Sequence, residues 1–373
     1  MNAICQVPSS RTVKDLKTKL SVYELPSIDE LLTSPPPPHT WKSMIQGSMS
    51  AATNHQLHIA TPLLESIPMS KLAGSPVYIK CENMQPTASF KIRGIGNRCK
   101  KAQEGGCTKI ISSSGGNAGI AAAYAARQLG MGATVVVPES TPKFVAGKLE
   151  ELGADVIVHG RVWDFANEKA LQLLKEDPAA AYIHPFDHPD VWEGHETMME
   201  EVKEQLGGKK PGVVVTCVGG GGLLCGVVQG LQRVGWADVP VVAMETFGAD
   251  SFSAAVKAGK LVTLPDITSI AKTLGAATVS KHCLELNSQH SIISHVVTDK
   301  AAVEACMRLL DDHRILVEPA CGATLACVYS DVLGKLKAEG KLPQNLGPVV
   351  VIVCGGGSIT LDRLLQYKAQ FDL

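Results

Sequence analysis

From about residue 50 onward, short apolar runs rich in β-branched residues alternate with stretches of helical pattern, and this alternation narrows the possible folds more than any other property of the chain. The runs are Ile110-Ile111, Ala133 to Val137, Ala154 to Val158, Val213 to Val218, Val239 to Met244 and Val349 to Val353. Between them lie Ile120 to Leu129, Thr141 to Leu152 and a helical pattern that continues through Leu231. Such alternation predicts βαβ units, mainly parallel sheets and hence an α/β fold. Ligands of open parallel sheets bind beyond the carboxyl ends of the strands. The loops after Ile111, Val218 and Val353 are therefore where chemistry is expected.

Those loops share a character. Ser112-Ser113-Ser114-Gly115-Gly116-Asn117-Ala118-Gly119 reads as strand, loop and helix start. Free N–H groups at such a start, beside serine hydroxyls and an Asn amide, suit a carboxylate or other anion. Ser and Asn are also common there simply as helix caps. Gly219 to Gly222, followed by Leu223, lets backbone N–H groups approach a phosphate closely. The tract does not accommodate Gly-x-Gly-x-x-Gly and lacks the Gly-Lys-Ser/Thr of a P-loop, so a phosphate cup fits better than a nucleotide loop. The third loop follows a buried strand and begins with a thiol, Cys354-Gly355-Gly356-Gly357-Ser358.

Upstream, Lys91 sits in Thr87-Ala88-Ser89-Phe90-Lys91-Ile92-Arg93-Gly94, flanked by an aromatic and small residues. An isolated lysine is usually a surface residue. With anion-binding loops following it, this one suits a cofactor held as an imine, since a lysine amine condenses with the aldehyde of pyridoxal phosphate.

A chain of 373 residues with 45% hydrophobic content can bury a large core and divide into two lobes. Its formal charge of −1 favours neither nucleic acid nor an anionic membrane as partner. The 11 cysteines are odd in number and never form Cys-x-x-Cys, which points to reduced thiols rather than a disulfide framework or zinc site. No apolar run approaches the roughly 20 residues that span a bilayer. A cytoplasmic protein is the expectation. Residues 1–50 are rich in Ser, Thr and Pro, with a polyproline tract at Pro35 to Pro38, and are expected to form a disordered extension. Its basic residues Arg11, Lys14, Lys17 and Lys19 are offset by Asp15, Glu24, Asp29 and Glu30, against a transit peptide.

From about Leu57 to Leu373 the chain resembles the fold type II pyridoxal-phosphate enzymes, and within them the animal L-serine dehydratase and serine dehydratase-like group. The resemblance rests on Ser-Phe-Lys-Ile-Arg-Gly-Ile-Gly at 89–96, Val-Gly-Gly-Gly-Gly-Leu-Leu at 218–224, Ala-Met-Glu-Thr-Phe-Gly-Ala at 243–249 and Val-Glu-Pro-Ala-Cys-Gly-Ala at 317–323. It implies a tryptophan synthase β-like fold of two lobes, each with a mainly parallel sheet flanked by helices. The small lobe, 88–187, would be inserted into a large lobe of 51–87 plus 188–373. It implies that Lys91 is the Schiff-base lysine, that Phe90 packs on the pyridine ring and that Gly219, Gly220, Gly221, Gly222 and Leu223 hold the phosphate. Ser114, Gly115 and Asn117 would receive the substrate carboxylate, with Asn117 also on the cofactor's 3-hydroxyl side. Cys354 would face the pyridine nitrogen as a neutral thiol, favouring β-elimination over transamination. Thr273 departs from the Ala or Ser that relatives tend to carry on the other ring face. Glu245 and Ala249, with carbonyls of Gly219 and Leu274, would bind a monovalent cation such as potassium; a salt-bridged Glu245 is the alternative.

The activity so implied is elimination of L-serine to pyruvate and ammonia, and of L-threonine to 2-oxobutanoate, in a homodimer. The rivals are a serine racemase or β-replacement synthase of the same fold, or a low-activity pyridoxal-phosphate binding protein that uses its extension for docking. Racemases of this fold offer a serine where Gly115 stands, and glycine has no proton to give.

Overall fold

The computed structural model describes residues 56–161 and 163–373. The extension expected over residues 1–50 lies outside them. Ten strands form two sheets: β1 Leu63–Glu65, β2 Val77–Lys80, β3 Lys109–Ser112, β4 Gly132–Val137, β5 Asp155–Val158, β6 Ala180–Tyr182, β7 Val213–Cys217, β8 Val241–Thr246, β9 Ile292–Val297 and β10 Val349–Ile352. One sheet has the order β1-β2-β10-β7-β8-β9, the other β5-β4-β3-β6. Every pairing is parallel except β1 with β2. The chain thus leaves the larger sheet after β2, builds the smaller one, and returns through the helix Pro189–Gln205 to β7.

The strand order fixes where ligands can go. In the smaller sheet β4 and β5 lie to one side of β3 and β6 to the other. In the larger sheet β8 and β9 extend outward from β7, whereas β10 returns between β7 and β2. Each reversal opens a crevice at the carboxyl end of the strands. The loops after β3, β7 and β10 are the ones at these crevices.

Residue chemistry explains why the observed boundaries differ from those expected. The helix expected over 141–152 spans Lys143–Glu151 because Pro142 takes the N-cap position with its φ preset at −60°. The strand expected over 239–244 begins at Val241, since Pro240 has no N–H to give a ladder, and it continues to Thr246. Glu245 therefore lies inside β8, not after it.

Each sheet has its own core. All four residues of β10 are fully buried between β2 and β7. Against the smaller sheet packs the helix Asn117–Leu129, whose buried face of Ala118, Ala121, Ala122, Ala125 and Ala126 permits close approach of helix to strand. A largely buried ion network joins β2 and the turn after it to the helices Lys91–Glu104 and Pro189–Gln205. Arg93 and Glu82 are wholly buried; Nε of Arg93 lies 2.7 Å from Glu82 Oε2 and Nη1 lies 2.7 Å from Glu201 Oε1. Lys80 Nζ completes it, 2.6 Å from Glu201 Oε2.

Candidate active site

Lys91 reaches its place through backbone contacts with the loop after β10. Ala88 takes a left-handed conformation, φ 57°, which turns the chain so that Ser89 bridges antiparallel to Gly355. Phe90 N–H donates to the Cys354 carbonyl at 3.1 Å, and Gly356 N–H donates to the Ala88 carbonyl at 3.0 Å. Lys91 then opens the helix Lys91–Glu104. Its Nζ donates to the Pro185 carbonyl at 2.6 Å and sits 5.2 Å from the Phe90 ring centre. Burial pushes the amine down to about 8, so a neutral, nucleophilic fraction exists near neutral pH. The Phe90 ring also meets that of the fully buried His195, ring centres 4.9 Å apart. Cys354 is held as a neutral thiol, pushed well up by its interaction with Cys217, by that with Cys321 and by burial.

The glycine loop after β7 is a set of unclaimed donors. Backbone N–H groups of Gly219 through Leu223 meet no acceptor among the described residues, and they end at the amino terminus of the helix Gly222–Arg233. Here glycine is required twice. Gly221 has φ 96°, and a Cβ on Gly220 would fall 2.3 Å from the ring of Phe186. Unpaired N–H groups at a helix start suit a dianionic phosphate.

The loop after β3 shows the same property on a smaller scale. Ser114 Oγ accepts from Gly116 N–H at 3.3 Å, while the N–H groups of Gly115, Asn117 and Ala118 have no acceptor among the described residues. A Cβ on Gly115 would stand 2.5 Å from Thr141 Oγ1. Ser114 and Gly115 thus make their contacts within this loop and with Thr141. Asn117 reaches further: its Nδ2 donates to both oxygens of Glu318, at 3.1 and 3.2 Å, leaving its buried Oδ1 without a partner. Thr273, on the short turn Lys272–Leu274, donates from Oγ1 to Glu318 Oε2 at 2.8 Å. Ser358 donates to Glu318 Oε1 from both N–H and Oγ.

Glu318 and the segment carrying Pro185 and Phe186 are members of this site that were not anticipated individually. Glu318 gathers Asn117, Thr273 and Ser358 from three separate elements, although only its motif had been noted. A carboxylate directly before the Pro319 that starts the buried helix Pro319–Tyr329 is the sequence clue. Phe186 lies in a loop between β6 and the helix Pro189–Gln205, and no periodic pattern marks it.

Among the described residues Glu245 has backbone partners rather than an ion pair. Its oxygens accept from the N–H groups of Phe252 and Ser253, at 2.9 and 2.8 Å, at the start of the helix Ser251–Ala258. Burial nevertheless pushes its carboxyl up to about 8. Ala249 N–H donates to the Thr246 carbonyl nearby at 2.9 Å. A Cβ on Gly219 would be 3.1 Å from Leu274 Cα, so those two expected carbonyl donors are neighbours.

The family model described as pyridoxal-phosphate dependent enzyme matches residues 55–355, which include Lys91, Glu245, the loops after β3 and β7 and the start of the loop after β10, Cys354 and Gly355. The chain belongs to this family. Human L-serine dehydratase/L-threonine deaminase is 55% identical over 317 residues, covering 85% of this chain and 96% of its own length. Human serine dehydratase-like protein gives the same identity and coverage. Among solved structures, the fungal L-serine ammonia-lyase from Rhizomucor miehei superimposes with a TM-score of 0.79 at 36% identity, covering 85% of this chain and all of that one.

The residues present fit the family cofactor on structural grounds. Unpaired donors at Gly219 to Leu223 match a phosphate, the unpartnered Asn117 Oδ1 matches a ring hydroxyl, and the neutral Cys354 thiol matches an unprotonated pyridine nitrogen. For this pyridoxal-phosphate dependent enzyme, the rate of cofactor capture by the apoprotein is expected to rise with pH and level off above about 8, because only the unprotonated Lys91 amine attacks an aldehyde. Stopped-flow absorbance between pH 6.5 and 9.5 measures it. A flat profile would mean that the amine is neutral throughout.

Proposed function

We propose that this enzyme is an L-serine and L-threonine ammonia-lyase, forming pyruvate or 2-oxobutanoate with ammonia. The observation that carries the reading is a lysine amine brought down to about 8 by burial and docked beside a neutral Cys354 thiol. The names of the similar human and fungal proteins agree with it. Pyridoxal phosphate, when bound, withdraws electrons from the substrate's Cα and makes its proton acidic. Gly219 to Leu223 would hold the phosphate, Phe90 and Thr273 would flank the ring, and Asn117 would meet its hydroxyl side. The N–H groups of the Ser114 to Asn117 loop take the substrate carboxylate. Lys91 Nζ would take the Cα proton and the β-hydroxyl would leave as water, the proton lost from Cα being balanced by the one the hydroxyl gains. Cys354 stays neutral and donates no full charge to the ring nitrogen, so elimination is favoured over amino-group transfer.

Gly115 argues against racemisation, because it offers no side-chain proton and Thr141 already occupies the space a Cβ would need. A serine at this position could act only after Thr141 moved. The test of the whole reading is the stoichiometry for purified holoenzyme supplied with L-serine: one pyruvate and one ammonia per serine consumed. Unconsumed serine would leave a cofactor-binding protein without this activity.

The same reading assigns residues 88–187 to a small lobe inserted between 51–87 and 188–373, and places the enzyme in the cytoplasm as a homodimer. No described helix is long and apolar enough to cross a membrane. It further gives the buried Glu245 carboxylate a monovalent cation, with carbonyls of Gly219, Ala249 and Leu274 as its other donors, a hard-oxygen set suited to potassium. A cation there would order the phosphate loop. Replacing potassium by tetramethylammonium should lower kcat at least about tenfold, a loss of roughly 1.4 kcal/mol in transition-state stabilisation. Equal rates in the two salts would remove the cation from the account.

A further inference from the structure

We propose that Cys217 and Cys354 form an oxidisable dithiol, a modification site at which a hydroperoxide closes a disulfide and silences the enzyme reversibly. Their sulfurs are 3.5 Å apart, and both side chains are buried at the crevice end of adjacent strands. Cys217 is the last residue of β7, and the register of β10 against β7, Val351 beside Val215, sets Cys217 level with Val353, one residue before Cys354. Neighbouring strands run about 4.8 Å apart, within the Cα separations a disulfide spans, and the sulfurs need to close by about 1.5 Å to bond.

The chemistry balances with a hydroperoxide as the named oxidant. One sulfur attacks the peroxide oxygen, the O–O bond breaks, and the sulfur becomes a sulfenic acid while water, or the alcohol of an organic peroxide, leaves. The second thiol attacks that sulfur, the S–S bond forms and a second water departs. Two thiols lose two hydrogens and two electrons, and a dithiol reductant returns them. The adjacency has a consequence that rests on the proposed function: Cys354 is the residue set against the pyridine nitrogen, and a disulfide takes away its S–H and pulls its sulfur toward Cys217. A sensor placed here reads oxidant through the same crevice that admits substrate.

The experiment uses full-length holoenzyme titrated with hydrogen peroxide, quenched by alkylation, digested with trypsin and read by mass spectrometry alongside pyruvate formation. Expected are a peptide pair lighter by two hydrogens, loss of at least nine-tenths of the activity, and recovery of both with dithiothreitol. Fragmentation must place the bridge on Cys217 and not on Cys225, which shares its tryptic peptide. Cys217→Ser should form no bridge and keep its own starting activity, whatever that is, at peroxide doses that silence the parent. A bridge between other cysteines, or sulfinic acid on Cys354 without a bridge, would overturn the proposal. If the Cys217–Cys354 bridge forms while pyruvate formation continues, the modification site stands and the placement of Cys354 at the pyridine nitrogen falls.

Discussion

Lys91→Ala is expected to lower pyruvate formation from L-serine by at least about 10⁴-fold, the upper range for loss of a positioned proton-transfer group, and to abolish borohydride-trapped pyridoxal phosphate. Both effects follow from one atom, since Nζ is at once the nucleophile toward the cofactor aldehyde and the base for Cα. The variant should still fold, because among the described residues the amine makes one hydrogen bond, to the Pro185 carbonyl, and burying its charge is a cost that the substitution removes. Retention of a reducible cofactor link in the variant would place the nucleophilic lysine elsewhere.

Arg93→Ala should give the largest loss of stability, about 3–5 kcal/mol, as expected when one partner of a buried ion network is deleted. Glu82 has no solvent exposure, and without Arg93 its carboxylate keeps, among the described residues, Thr61 Oγ1 and Gln85 Nε2 as donors. Glu201 retains Lys80, so Glu82 is the group left stranded. Equilibrium urea unfolding measures the effect. Arg93→Leu combined with Glu82→Leu should recover part of the loss, because the pair then leaves no uncompensated charge. A single variant within about 1 kcal/mol of the parent would show that water or another cation replaces the guanidinium.

Much of this architecture was legible before the structure because it is written in runs of one residue type. β4, β7 and β10 are almost wholly Val, Ile, Thr and Ala, buried throughout except for Gly132 at the start of β4, and a strand covered on both faces needs no alternation to be recognised. The glycine loop and Lys91 were legible for a related reason: their chemistry depends on residue types in local sequence. Elements held by tertiary context were not. β6 is Ala-Ala-Tyr, whose alanines carry no strand preference, and it pairs only because β3 lies beside it. β9 is interrupted by Ser294 and His295, and β1 has three residues. Glu245 was assigned to the wrong side of a strand end because Pro240 moved the whole strand two residues along. Glu318 was visible only as part of a motif, since its significance lies in three partners at sequence separations of 201, 45 and 40 residues.

Reaction choice is where the account is most exposed, because one site of this fold can either eliminate water from serine or return the proton to Cα. The deciding measurement is a chiral and keto-acid analysis of the products that purified enzyme, loaded with pyridoxal phosphate in potassium buffer, makes from L-serine. With Lys91 as the proton-moving residue and Gly115 unable to supply a second one, the account predicts pyruvate and ammonia in equal amounts with D-serine a minor trace. D-serine formed as fast as pyruvate, or faster, would contradict it.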